Sequence, residues 1–298
     1  MVAATRTIRR RKAAPWRDAQ GRFSPLKAAT LAACVLPGAV LAWRLATSDA
    51  GAKPITEAIH VTGLWTIRFL LISLALSPMR PVFDWPRAPV IRRIVGVTAC
   101  CYALTHLSFY VVDQNGRLLT VASEIIHRFY LTIGFVALIG LVALAATSTN
   151  AAVRRMGKAW KRLHRAAYGI AALGLLHYFI QAKANVGEPI VFAGLFLWLM
   201  LWRLLPARWA GRLWVLPVLG LAAALLAVGL EFTWYHVATG VNSLRVVSAE
   251  AALRFGIRPA QWVAISGAAI VTLAVLRRAI AAGLRLRPAV PKLGVRRI

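Results

Sequence analysis

Two of the six histidines in this chain of 298 residues stand deep inside stretches apolar enough to cross a bilayer. His106 lies in ACCYALTHLSFYVV (99–112) and His177 in KRLHRAAYGIAALGLLHYF (161–179). Imidazole nitrogens cost free energy in hydrocarbon unless they are bonded to something. At roughly 1.5 Å per helical residue, His106 is about 24 Å, and His177 about 20 Å, from the basic end of its apolar run. Two neutral imidazoles at matched depth on separate helices have the chemistry of the two axial ligands of a heme iron. The competing reading is a hydrogen bond to a neighbouring helix, worth about 1 kcal/mol.

His164 cannot join the same iron. Read as one continuous helix, 161–179 puts it about 20 Å from His177 and turned away by about 140°. It reads either as a contact to a second heme or a flavin at the basic mouth of the bundle, or as an interfacial histidine among arginines. Arg68, in TGLWTIRFLLISLAL (62–76), needs an anionic partner at membrane depth. A heme propionate would pair with it bidentately; the alternative is snorkelling to the interface. His60, His127 and His236 read as loop or edge residues on the outer side, and Glu231 as an edge carboxylate.

The elements that must position these side chains are membrane helices. The sequence is 59% hydrophobic, and apolar runs occur at about 26–46, 63–79, 90–112, 131–148, 166–182, 188–205, 213–235 and 261–279, each near the length of a span. The net charge of +28 is unevenly placed. Basic residues crowd the N-terminal segment with RTIRRRK, then 80–93, 149–165, 203–212 and the tail from Arg277. The alternate connections (47–62, 113–130, 183–187, 236–260) are nearly neutral. That is the positive-inside pattern. It predicts a multi-pass inner-membrane protein of about eight spans with both termini cytoplasmic, an all-α integral membrane bundle. The charge is thus a topology signal, with attraction to anionic membrane lipid as a by-product, and it argues against nucleic acid as a partner. Cys34, Cys100 and Cys101 sit in apolar runs without CxxC or CxxCH spacing and read as small core residues.

There is no GxGxxG after a strand, no GxxxxGK[ST] and no evident internal repeat. The chain therefore has no nucleotide-binding domain of its own, and any electrons it handles must come from another molecule. An up-and-down bundle would hold a cofactor between facing helices.

The stretches HVTGLWTIRFLLISLALSPMR (60–80), RRIVG (92–96), YALTHLSFY (102–110), ALAATSTN (143–150) and WKRLHRAAYGIAALGLLHYF (160–179) occur in an order and spacing that resemble a known family. It is the MsrQ (YedZ) family, the heme-binding membrane subunits of the periplasmic methionine-sulfoxide reductase system, within the ferric-reductase-like transmembrane superfamily. The resemblance covers about 26–205. It implies a basic tail over 1–25, a heme-binding core of six spans over 26–205, and an extension over 206–298 with two further spans and a basic tail. It also implies heme b on His106 and His177, with His164 on a position implicated in heme or flavin binding, His60 beside the outer heme through the H-x-TG stretch, and FMN as a further cofactor. Electrons would come from quinol or a cytoplasmic flavin reductase and pass to a periplasmic molybdenum-cofactor subunit that reduces methionine sulfoxide in oxidised proteins. Many members of the wider superfamily carry a second histidine on the third span; here that position is Arg93, so a second bis-histidine heme cannot be built in that way. No role carries over to His127 or His236.

Two other readings remain beside this one. A self-contained ferric or quinone reductase of the same superfamily would act on a small acceptor without a partner. A heme-free transporter or scaffold would use its histidines for a proton path or for packing, although the spans lack inverted repeats and broken helices.

Overall fold

The computed structural model describes residues 14–18, 20–183, 185–238, 242–250 and 256–285. The RTIRRRK segment and the tail beyond 285 lie outside the described residues. Apart from one isolated bridge between Arg17 and Phe23, the described secondary structure is helical. The elements are α1 (Pro25–Ala46), α2 (Pro54–Phe83), α3 (Ala88–Asp113), α4 (Leu118–His127), α5 (Phe129–Ala146), α6 (Asn150–Met156), α7 (Lys158–Arg165), α8 (Ala167–Ala182), α9 (Gly187–Leu204), α10 (Val215–Ala238), α11 (Ser243–Glu250) and α12 (Pro259–Arg285). Among the described residues seven helices are long and apolar enough to cross a membrane: α1, α2, α3, α5, α9, α10 and most of α12. This is an all-helical, multi-pass membrane protein.

The remaining apolar run, at 166–182, becomes α8, which has 16 residues. The expected continuous helix over 161–179 is interrupted at Ala166, where the chain turns between α7 and α8. His164 and His177 therefore sit on α7 and α8, with Ala166 between them still in a helical backbone conformation. α2 starts nine residues before its apolar run and takes His60 into the helix. The connection 113–130 contains α4, which ends on His127, and His236 lies within α10 rather than beyond it. Apolar run length marks none of these helical residues, because α4 is short and the ends of α2 and α10 carry polar side chains.

The chain divides into two compact units: residues up to Ser77 with Arg87–Phe192, and Pro78–Pro86 with residues from Ala193 onward. In the first, α1 docks on α3 through a side chain inserted into a helix backbone. The Tyr102 hydroxyl accepts from the Gly38 N–H at 2.7 Å and donates to the Cys34 carbonyl at 3.0 Å. Those are the two groups an uninterrupted α1 would pair with each other. Gly38 permits the approach, since a Cβ there would stand 3.0 Å from the hydroxyl. Thr62 and Thr66 return their hydroxyls to the Ala58 and Thr62 carbonyls at 2.6 and 2.9 Å, so these buried polar groups are satisfied within α2. Cys34 and Cys100 are buried as expected, but Cys101 is exposed, because it lies on the face of α3 turned away from the bundle.

In the second unit α10 and α12 pack closely, with Gly220 facing Gly267. Glu231 is not an edge residue: its side chain is 3% exposed and one oxygen accepts from Arg258 at 2.8 Å. Arg278 donates to the carbonyls of Pro81 (3.1 Å), Val82 (3.2 Å) and Gly211 (2.7 Å). Arg277 donates to those of Phe83 and Asp84. α12 thereby supplies donors to the last carbonyls of α2, which have no intrahelical partner of their own.

Candidate functional site

His106 on α3 and His177 on α8 are brought together, with ring centres 6.3 Å apart and ring planes at 86°. Each ring is held in the same way. His106 Nδ1 is 2.8 Å from the Ile59 carbonyl on α2, and His177 Nδ1 is 2.8 Å from the Tyr130 carbonyl on α5. A carbonyl oxygen can only accept, so Nδ1 carries the hydrogen in both rings. The lone pair is then on Nε2, the nitrogen available to a metal. A carbonyl-bonded Nδ1–H is the usual outer-shell support of a ligating histidine. Tyr130 also lies alongside the His177 ring at 6.2 Å, tilted by 28°.

The separation suits one ion between the rings. Metal–nitrogen bonds of about 2.0 Å, with roughly 1.2 Å from each nitrogen to its ring centre, would place the two centres about 6.4 Å apart. Among the described residues no group of three or more His, Cys, Asp or Glu side chains is positioned to hold a metal ion. An ion between His106 and His177 must therefore bring most of its own ligands.

His164 is elsewhere. On α7, its ring stacks on Trp160 at 3.9 Å, its Nδ1 donates to the Trp160 carbonyl at 3.2 Å, and its Nε2 lies 3.4 Å from the Ser148 hydroxyl. Burial holds its pKa below the ordinary histidine value, and the charges of Arg92 and Arg93 add to the effect. His60 is exposed on α2, next in sequence to Ile59.

Arg68 finds its anionic partner in Glu188 at the start of α9, 3.1 Å from one carboxylate oxygen, with the guanidinium 4.9 Å from the Trp65 ring centre. The other Glu188 oxygen accepts from the Tyr178 hydroxyl at 2.8 Å. Glu188 thus bridges α2, α8 and α9, a role that nothing in the sequence marks. Sequence reasoning likewise missed Ile59, Tyr130, Gly63 and Gly134 as the histidines' supports. Both histidine-to-carbonyl bonds span 47 residues, and one shift in numbering superimposes the two sets, a regularity that shows only once the bonds are located.

Against known proteins, the family described as ferric reductase like transmembrane component matches residues 62–175, a range containing His106 and His164 and stopping just short of His177. A protein of Caulobacter vibrioides named protein-methionine-sulfoxide reductase heme-binding subunit MsrQ is 41% identical over 182 residues, covering 60% of this chain and 85% of its own. One of the same name from Rhodospirillum rubrum is 41% identical over 201 residues, covering 66% of this chain and 94% of its own. The chain belongs to the MsrQ family. A third MsrQ, from Xanthomonas euvesicatoria pv. vesicatoria, is 40% identical and covers 58% of this chain. No solved structure matches. The matches cover 82–94% of these MsrQ relatives and 58–66% of this chain.

Proposed function

We propose that this chain holds a b-type heme between His106 and His177 and serves as the membrane electron-transfer subunit of a protein-methionine-sulfoxide reductase. One observation carries the reading: two imidazoles with ring centres 6.3 Å apart, each bonded through Nδ1 to a carbonyl and so presenting Nε2. His106 and His177 would hold the iron of a heme, whose porphyrin would bring the remaining ligands. When bound, the heme would supply one-electron chemistry. The chain's own work is to fix the tautomer of both rings, hold them at one separation and keep them in an apolar bundle. Arg68 is the candidate counter-cation for the heme carboxylates and would share its guanidinium with Glu188.

In this reading both termini are cytoplasmic and 26–205 is the heme-binding core. Electrons enter from quinol or a cytoplasmic flavin reductase and leave to a periplasmic molybdenum-cofactor subunit, which reduces methionine sulfoxide in oxidised proteins. His164, at the basic end of the bundle, is the candidate contact for FMN or a second cofactor, and His60 flanks the heme-binding pair. Arg93 donates to Asn150 at 2.8 Å and stands at the position on α3 that corresponds to His164. The support is therefore for one bis-histidine iron rather than two.

The test is heme and flavin per chain in protein purified from heme-replete cells, with the reduced-minus-oxidised spectrum. Wild type should show a b-type spectrum that His106→Ala and His177→Ala each abolish, while His164→Ala keeps it. A colourless wild-type preparation refutes the proposal. Reduction of a small acceptor at full rate without any partner would instead indicate the self-contained reductase.

A further inference from the structure

The two histidine arms are built alike in a way that ligation alone does not require. In each, the imidazole bonds a backbone carbonyl on the neighbouring helix, and the residue four positions after that carbonyl is glycine: Ile59 with Gly63 on α2, and Tyr130 with Gly134 on α5. One helical turn separates the members of each set, so glycine and carbonyl lie on the same face. The ring rests against the bare glycine. A Cβ on Gly63 would stand 3.0 Å from His106 Nδ1 and Cε1, and a Cβ on Gly134 would stand 2.8 Å from His177 Nδ1 and 2.9 Å from Cε1. The same device recurs in α1, where Tyr102 reaches the Cys34 carbonyl across Gly38. A side chain at any of these glycines would occupy the path from the aromatic ring to the carbonyl.

We propose that Gly63 and Gly134 are positioning residues of the histidine pair: their missing side chains admit each imidazole to its carbonyl, which sets the Nδ1–H tautomer and leaves Nε2 for the iron. The proposal rests on the heme reading above for its function, and on the ring-to-carbonyl contacts alone for its geometry. Not every helical glycine shares the property. An added Cβ at Gly169 on α8 meets nothing within 4 Å.

The experiment uses the full-length chain as wild type, Gly63→Ala, Gly134→Ala and Gly169→Ala, with helix content checked by circular dichroism. Three quantities are read: hemin affinity of the apo-protein, the low-spin ferric resonance of the loaded protein, and the tautomer of each histidine from 15N imidazole shifts of the apo-protein. Gly134→Ala should bind hemin about 10- to 100-fold more weakly, the usual range for loss of an outer-shell partner. Gly63→Ala, whose contact is looser, should lose less. In each variant only the facing histidine should lose its pure Nδ1–H signal, and the low-spin resonance should shift. Gly169→Ala should match wild type. Either folded variant suffices to decide. Wild-type affinity, resonance and tautomers in Gly63→Ala or Gly134→Ala would overturn the proposal. A wild type that binds no hemin yet shows both Nδ1–H tautomers, each lost in its variant, would overturn the heme reading and leave the positioning role standing.

Discussion

Replacing Tyr102 by Phe removes one oxygen from the junction of α1 and α3, and the consequence can be worked through. That oxygen accepts from Gly38 N–H and donates to the Cys34 carbonyl. In Tyr102→Phe these backbone groups, four residues apart in one helix, can bond each other directly. Two hydrogen bonds are lost and one is regained, a net cost of about 0.5–1.5 kcal/mol. Gly38→Ala behaves differently in the two backgrounds. With tyrosine present the new Cβ would stand 3.0 Å from the hydroxyl, whereas the next ring atom is at 3.6 Å, an ordinary contact. The substitution should therefore destabilise wild type by about 1–3 kcal/mol, as overpacking does. In Tyr102→Phe the same substitution should be neutral or stabilising by up to about 1 kcal/mol, the helix propensity difference between glycine and alanine. The pair thus couples by about 2 kcal/mol with a reversal of sign. The assay is a double-mutant cycle in mixed micelles, unfolding with rising sodium dodecyl sulfate and following tryptophan fluorescence. An effect of Gly38→Ala with the same sign and size in both backgrounds would refute the inserted-hydroxyl account.

Arg278→Leu should destabilise the second unit by about 1–3 kcal/mol, because Pro81, Val82 and Gly211 lose a shared donor; a thermal melt of the purified protein reads it directly. Glu188→Gln, by contrast, breaks a half-exposed pair with Arg68 and should shift stability by no more than about 1 kcal/mol, measured in the same melt. His164 has a pKa below that of the unfolded chain, so the unfolded state takes up its proton first as pH falls. Its contribution should thus be full above the unfolded value of about 6.5 and fall away as pH drops through the window between the two values. The stability difference between wild type and His164→Gln should accordingly narrow as pH falls below about 6.5, and a difference independent of pH would contradict the assignment.

The membrane helices were legible because bilayer thickness demands long apolar runs and leaves them nowhere to hide. Where a helix is short or amphipathic that rule is silent, which is why α4, α6 and α11 went unseen and α7 was joined to α8. The histidine pair was legible for the same reason: depth along a helix follows from counting residues. The partners met there do not, and so the stacking of His164 on Trp160 and its approach to Ser148 came only with the packed structure. Arg68 illustrates the same limit. That a cation at membrane depth needs an anion could be read from the chain, but that Glu188, 120 residues away, supplies it could not.

Sequence alone therefore determined what kind of solvent this protein lives in, how many apolar runs it has, and which two imidazoles share a depth. Tertiary structure decided which atoms those imidazoles bond. Backbone carbonyls carry no residue label, and a glycine announces nothing in a sequence until another helix leans on it. Ile59 with Gly63, and Tyr130 with Gly134, acquire a role only when α3 and α8 bring a ring against them, because a hydrogen bond of 2.8 Å is made by packing helices that sequence leaves far apart.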